Sequence, residues 1–327
     1  MKLTFIIISY NEVEYLEAAI KSCLKQNVTD FEIIVGDDGS NDGSVELIEK
    51  FAHEYPDCIR YFVSDRNGLD IKNVIPSLRV SNIITRAMEM AKGEYCVVLS
   101  GDDYFYKSDF FEKAVRFLDN HSNYVAYVGG FEKVWKDSSS VVYNISYNPK
   151  LYWGSGKYIH ISSFVFRKNI FDNGLFLQRF CDDTGLVYVL ASTGKWKYDK
   201  EVVFAYRQRE GSIMHTSKKF EFRLVELMMF QDVLGRERLY SQSLAHFSKS
   251  LRYVFKNREL LSEDRYKKYI LNCEEYDCNI LKAICEYDKN SGFKKIKFLI
   301  WMSYGRVLEI CYRIIVRIYH LMLRTTA

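Results

Sequence analysis

The strongest constraint on what this chain can fold into is an alternation in its first hundred residues. Short apolar runs are separated by segments with helical spacing, the pattern that a parallel sheet with crossover helices requires. Leu3–Ser9 is Ile-rich and uninterrupted, as suits a strand covered on both faces. Val13–Lys25 follows, with Leu16, Ala19, Ile20 and Leu24 on one helical stripe. Phe31–Val35 reads as a second buried strand, followed by GDDGSNDGS and a helix over Val45–Tyr55. Arg60–Ser64 reads as a third strand. A polar stretch from Asp65 to about Ser77 then leads into a helix ending at Lys92-Gly93. Tyr95–Leu99 is the fourth strand and runs into Ser100-Gly101-Asp102-Asp103-Tyr104. The prediction is an α/β fold opening β-α-β-α-β-α-β, with its sites beyond the carboxyl ends of the strands.

From about Asn123 to Arg207 the pattern has more strand character, with a helix near Gly185–Thr193. From Lys218 onward it is almost wholly helical, and no Pro follows Pro149, so a boundary is expected near residue 216. With 46 Lys+Arg against 42 Asp+Glu the net charge is +4, which argues against a dedicated nucleic-acid binder. The hydrophobic share of 48% excludes a disordered chain. Aromatic residues make up 16%, enough to line sugar or base sites as well as to fill a core. The eight cysteines form no CxxC pair, and Cys273 and Cys278 have no second pair or suitably spaced His to complete a zinc site. Reduced thiols and a cytoplasmic setting are expected. MKLTFIIISYNE has no small-residue cleavage site and reads as a strand rather than a signal peptide. No run of 18 uncharged apolar residues predicts a membrane-spanning helix.

Four polar clusters fall where strands should end or helices begin. They are Ser9-Tyr10-Asn11-Glu12, Asp37-Asp38, Asp102-Asp103 and Asp182-Asp183. Any one acidic pair is read as readily as a helix cap or turn former. Several at one sheet mouth suit a hard divalent cation that bridges diphosphate oxygens. No GxxxxGK[ST] or GxGxxG loop is present to cradle phosphates by backbone alone. A cation at Asp102 against a diphosphate leaving group, with a separate carboxylate to deprotonate a hydroxyl, describes glycosyl transfer from a nucleotide-sugar. A nucleotidyltransferase on a related fold would want a basic, glycine-rich loop near the N-terminus, and SYNEVEYLEAA offers none.

FIIISYNEVEYLEAAIKSCLKQNVTDFEIIVGDDGSNDGS, AKGEYCVVLSGDDYFY and YRQREGSIMH together resemble the inverting glycosyltransferases of family 2, over roughly residues 1–216. The resemblance implies a GT-A fold, a Rossmann-like nucleotide-diphospho-sugar transferase domain with a mostly parallel sheet, over 1–216. An α-helical C-terminal region follows over 217–327. It implies that Tyr10 packs against the nucleotide base and that Asp38 accepts from the base N3–H, so that the donor is a UDP-sugar, or less readily a dTDP-sugar. It places Glu12, Arg79, Ser100 and Asp103 among the donor contacts. Asp102 matches the last Asp of the DxD motif, a ligand of Mn²⁺ or Mg²⁺, and Ser100 departs from that motif's first Asp. Asp183 is implied as the catalytic base, with Asp182 one residue of slip away. His160 and Trp153 align on the acceptor side, and His215 near the diphosphate and metal. Each of these three is also readable as a structural residue.

Near the C-terminus, Lys295, Arg306, Arg313, Arg317 and Arg324 fall within about 20° of one line on a helix, amid a broad apolar face. Such a helix suits an anionic membrane surface, or docking on its own protein or on a twin subunit in a homo-oligomer. The expectation is a peripheral enzyme on the inner face of the cytoplasmic membrane, acting on a lipid-linked or oligosaccharide acceptor in bacterial surface polysaccharide biosynthesis. The alternative is a catalytically degenerate domain that binds nucleotide-sugar at the membrane.

Overall fold

The computed structural model describes residues 1–66, 76–143, 159–171, 183–209, 219–236, 241–263 and 284. The chain divides into two compact units, Met1–Pro149 with Tyr158–Thr216, and Lys150–Lys157 with Ser217–Ala327.

The first unit opens with the alternation expected: β1 (Leu3–Ser9), α1 (Val13–Leu24), β2 (Phe31–Asp37), α2 (Ser44–Glu54), β3 (Ile59–Val63), α3 (Pro76–Met90) and β4 (Tyr95–Ser100). It continues with β5 (Tyr104–Phe105), α4 (Phe110–Asn120), β6 (Tyr124–Val134), β7 (Ser139–Val142), β8 (Phe164–Arg167), α5 (Asp183–Thr193) and β9 (Lys195–Arg207). One sheet joins the nine strands of the described residues in the order β3-β2-β1-β4-β8-β6-β9-β5, with β7 paired to β6. The half built from β3, β2, β1 and β4 is parallel. Beyond β4 the sheet is mixed: β8 runs antiparallel to both β4 and β6, while β6 and β9 are parallel. The first four strands are joined by α1, α2 and α3, the helical crossovers that parallel pairing requires.

Because strand side chains alternate, each central strand feeds two layers. Leu3, Phe5 and Ile7 join Ile33, Val35, Val97 and Leu99 in one fully buried cluster with Leu16, Ile20 and Cys23 of α1 and Phe110, Phe111 and Leu118 of α4. Phe111 meets Phe5 and Phe105 edge-to-face at 5.0 and 4.8 Å, and the tilted Phe5–Phe105 pair, at 5.9 Å, completes its centre. The opposite face lies under α3, whose Ile83, Ile84, Ala87 and Met88 are buried. There the backbone of β2 is approached so closely that a Cβ on Gly36 would sit 2.4 Å from Ile83 Cγ2. Cys23, Cys58 and Cys96 are free thiols.

Within the second unit, α6 (Lys219–Arg236) and α7 (Ser241–Lys256) pack on each other. Phe220, Leu224, Leu227, Leu251 and Val254 are buried. Arg223 and the Ser250 hydroxyl both reach Glu226 Oε2. Among the described residues, no helix is long and apolar enough to cross a membrane. The basic stripe from Lys295 to Arg324 lies outside the described residues.

Candidate active site

The parallel register sets three strand ends side by side, with Ser9 opposite Asp37 and Ile8 opposite Ser100. Asp38 N–H donates to the Ser9 carbonyl at 2.9 Å, and Gly101 N–H to that of Ile8 at 2.7 Å, extending the alignment past the strands. The turn into α1 passes through Asn11 at φ 51°, a left-handed conformation that Asn tolerates better than most residues. The SNDGS loop after β2 then caps α1 from outside. Asn11 N–H donates to Ser40 Oγ (2.9 Å), Glu12 N–H to Ser44 Oγ (3.2 Å) and Val13 N–H to Asp42 Oδ2 (3.0 Å). These bonds satisfy N–H groups that a helix start leaves without intrahelical partners. Asp37 is the turn former of its pair, accepting from Ser40 N–H and Ser40 Oγ at 2.7 Å each.

Asp38 is left for other work. Its Oδ2 lies 2.9 Å from Arg79 Nε and 3.9 Å from an Arg66 nitrogen. Arg66 also covers the Tyr10 ring, its guanidinium carbon 3.8 Å from the centroid, with that of Arg79 at 5.5 Å. Burial pushes the Asp38 carboxyl up despite both arginines. Tyr10, Asp38 and Arg79 thus come together from β1, β2 and α3. Arg66 joins them unpredicted, from the polar stretch that sequence reasoning treated as connection.

A second cluster lies at the end of β4. Glu12, Asp102 and Asp103 are all buried. Arg209, two residues past β9, bridges the first two, with Nη2 at 2.5 Å from Glu12 Oε1 and Nε at 2.6 Å from Asp102 Oδ2. Arg207 donates its N–H to Asp103 Oδ1 (2.9 Å) and its guanidinium to the Asp102 carbonyl (2.6 Å). Three carboxylates share two cations here. Burial, and then the Asp102 charge, push Glu12 up to about 8 against Arg209. Burial and Asp102 likewise hold Asp103 well above the ordinary carboxylate range. Gly101 makes the packing possible, since a Cβ there would meet Glu12 Oε2 at 2.5 Å. Sequence reasoning quoted YRQREGSIMH without assigning its arginines. The signal available was that buried acids require cations.

Mn²⁺ or Mg²⁺ fits this site in a limited way. Among the described residues no three His, Cys, Asp or Glu side chains form a metal cage. Asp102 offers one carboxylate oxygen beyond the one held by Arg209. A hard cation that takes its remaining ligands from phosphates and water needs no more from the protein. Among the described residues, Glu12 Oε2 and Asp103 Oδ2 are buried beside it without hydrogen-bond partners.

The other sequence candidates are dispersed or outside the described residues. Ser100 ends β4 and is half-buried. His160 is buried between the rings of Tyr206 and Phe204, at 4.5 and 5.0 Å, and its Nδ1 accepts from Ser162 N–H at 3.2 Å. Asp183 is the first residue of α5, and only its backbone is described. Asp182, Trp153 and His215 lie outside the described residues.

The model of the family described as glycosyl transferase family 2 matches residues 4–175, just over half the chain. A cholesterol galactosyltransferase of Borreliella burgdorferi is 36% identical over 102 residues, covering 31% of this chain and 25% of that protein. An uncharacterized glycosyltransferase of Rickettsia felis is 32% identical over 142 residues, covering 43% and 21%. The match thus spans a quarter or less of the length of these curated relatives. The crystal structure of S. aureus TarS 1-349 in complex with UDP-GlcNAc superposes with a TM-score of 0.58 at 16% identity, covering 98% of this chain and 92% of that one. That likeness carries the fold, a GT-A-like mixed α/β sheet. The match over residues 4–175 carries the lineage, and this chain belongs to glycosyl transferase family 2.

Proposed function

We propose that the chain transfers a sugar from a UDP-sugar, with inversion, to a hydroxyl of a lipid-linked or oligosaccharide acceptor in bacterial surface polysaccharide assembly. The observation that carries this reading is the convergence of Tyr10, Asp38 and Arg79 on the same strand-end rim as Asp102. An aromatic face beside a buried carboxylate suits a uracil ring and its N3–H. The UDP-GlcNAc named for TarS supports a donor of this class.

In this reading the base takes the Tyr10 face that Arg66 covers, and Asp38 accepts from its N3–H. Asp102 would hold Mn²⁺ or Mg²⁺, which when bound would neutralise charge on the departing diphosphate. Arg209 fixes the Asp102 carboxylate through Nε. Asp183, at the N-terminal end of α5 where the helix dipole favours a carboxylate, takes the proton of the attacking hydroxyl. The acceptor oxygen forms its bond to the anomeric carbon as the bond to the diphosphate breaks on the opposite side.

The test is UDP release from a panel of UDP-sugars, with and without Mn²⁺, for the wild type, Asp102→Ala and Asp183→Asn. One donor is expected to be hydrolysed slowly, dependent on metal and on Asp102. With acceptor present, Asp183→Asn is expected to lower kcat by about 10²–10⁴ while UDP binding is unchanged. Undiminished transfer by Asp183→Asn would move the base to Asp182 or elsewhere. Absence of UDP binding would remove the donor assignment.

A further inference from the structure

A groove of about 870 Å³ opens beside the acidic cluster, walled by Tyr15 of α1, by Val134–Ser138 at the turn from β6 to β7, and by Arg207–Arg209 after β9. It does not include the Tyr10, Asp38 and Arg79 group. Its floor borders Asp102, because Arg207 and Arg209 contact that residue's carbonyl and carboxylate respectively. Three features of the lining point to a ligand. Gln208 Nε2 is buried with no hydrogen-bond acceptor among the described residues. The Arg207 guanidinium donates to a carbonyl oxygen and lies against the faces of Tyr104 and Tyr15, at 4.5 and 5.2 Å, and among the described residues it makes no salt bridge with a carboxylate, although the Asp103 charge lies near. Trp135 stands 40% exposed, at the mouth with Lys136.

A buried amide donor without an acceptor is costly unless a ligand completes it. A guanidinium held against aromatic faces, with a lysine nearby, presents charge that an oxyanion can take in a forked geometry. Exposed Trp and half-buried Tyr rings offer flat apolar surfaces to the C–H face of a sugar. Among the described residues of the lining, Asp137, at the turn, is the one acid, against Lys136, Arg207 and Arg209. We propose that this groove binds the acceptor, and that it selects a saccharide carrying a negatively charged group, carboxylate or phosphate. Calling the bound saccharide the acceptor rests on the transfer reading above. Binding of an anionic saccharide to the groove does not.

Isothermal titration of the full chain at low salt decides it, using three disaccharides of one skeleton: neutral, uronate-bearing and phosphate-bearing. UDP is titrated in parallel. A charged disaccharide is expected to bind about tenfold more tightly than the neutral one, and comparing the two charged forms identifies the oxyanion. Trp135→Ala and Lys136→Glu are each expected to weaken that binding about tenfold and leave UDP binding unchanged. Charged binding with no UDP binding would uphold the groove and remove the donor reading. Equal affinity for the neutral disaccharide would overturn the proposal. So would no binding of either charged form, or binding undiminished in both variants.

Discussion

At the scale of single residues, the site is governed by burial of charge. His160 illustrates it in an imidazole. Burial lowers its imidazole to about 4, against the pull of the Asp102 charge, from the ordinary 6.5. Between those values the unfolded chain binds more protons than the folded one, so stability is full above 6.5 and lost as pH falls toward 4. The ceiling on this contribution is about 3 kcal/mol. Urea denaturation from pH 4 to 7 should show a slope in the wild type that is largely removed in His160→Gln. An equal slope in both would assign the loss to other groups. Residues whose placement depends on a local pattern were legible in advance. Tyr10, Asp38 and Asp102 sit at strand ends that apolar runs alone locate. Arg66, Arg207 and Arg209 were not legible as partners, because their contacts depend on which distant strands end together. Asp37 and Asp38 are adjacent in sequence, yet one ties a turn and the other faces Arg79.

At the scale of elements, the parallel half of the sheet is held by more than apolar burial. Glu32 interrupts the apolar run of β2, and its buried carboxylate joins four segments. It accepts from Thr4 Oγ1 of β1 (2.8 Å), Arg60 Nη2 of β3 (2.5 Å) and Lys92 N–H after α3 (2.6 Å), and Arg60 also donates to the Met90 carbonyl (2.7 Å). Burial alone would raise this carboxyl, but the hydrogen bonds from Lys92, Arg60 and Thr4 outweigh it and hold it below its usual value. Glu32→Ala leaves Arg60 and the Lys92 amide without their acceptor and should cost about 3–5 kcal/mol. Chemical denaturation at neutral pH measures it, and a loss under 1 kcal/mol would show that water replaces the carboxylate. Sequence patterning located every one of the first seven elements, since each carries its own period. It stopped β2 at Val35, two residues before the observed end at Asp37. Gly36 and Asp37 look like turn residues but are claimed by pairing with β1 and β3. The role of Glu32 was hidden for the same reason, as its partners lie 28 and 60 residues away.

At the scale of the whole molecule, the catalytic reading and the C-terminal region call for separate tests. The stripe from Lys295 to Arg324, if it meets an anionic leaflet, should carry the chain to vesicles containing phosphatidylglycerol and not to neutral ones. Replacing Arg313, Arg317 and Arg324 by Gln should release it, as sedimentation measures. Retention by the triple variant would point instead to another surface. The mixed half of the sheet was only coarsely legible as strand-rich. Its order depends on β8 entering between β4 and β6, a pairing between segments far apart in sequence that no local pattern announces. That insertion has a consequence for the chain as it is made. β4 ends at Ser100, and the strand that covers its outer side begins at Phe164, 64 positions later. At ribosomal elongation rates the nascent sheet therefore waits ~3–13 s with one apolar edge open. Over that interval the unpaired N–H and C=O groups along β4 are a template on which another extended chain can pair.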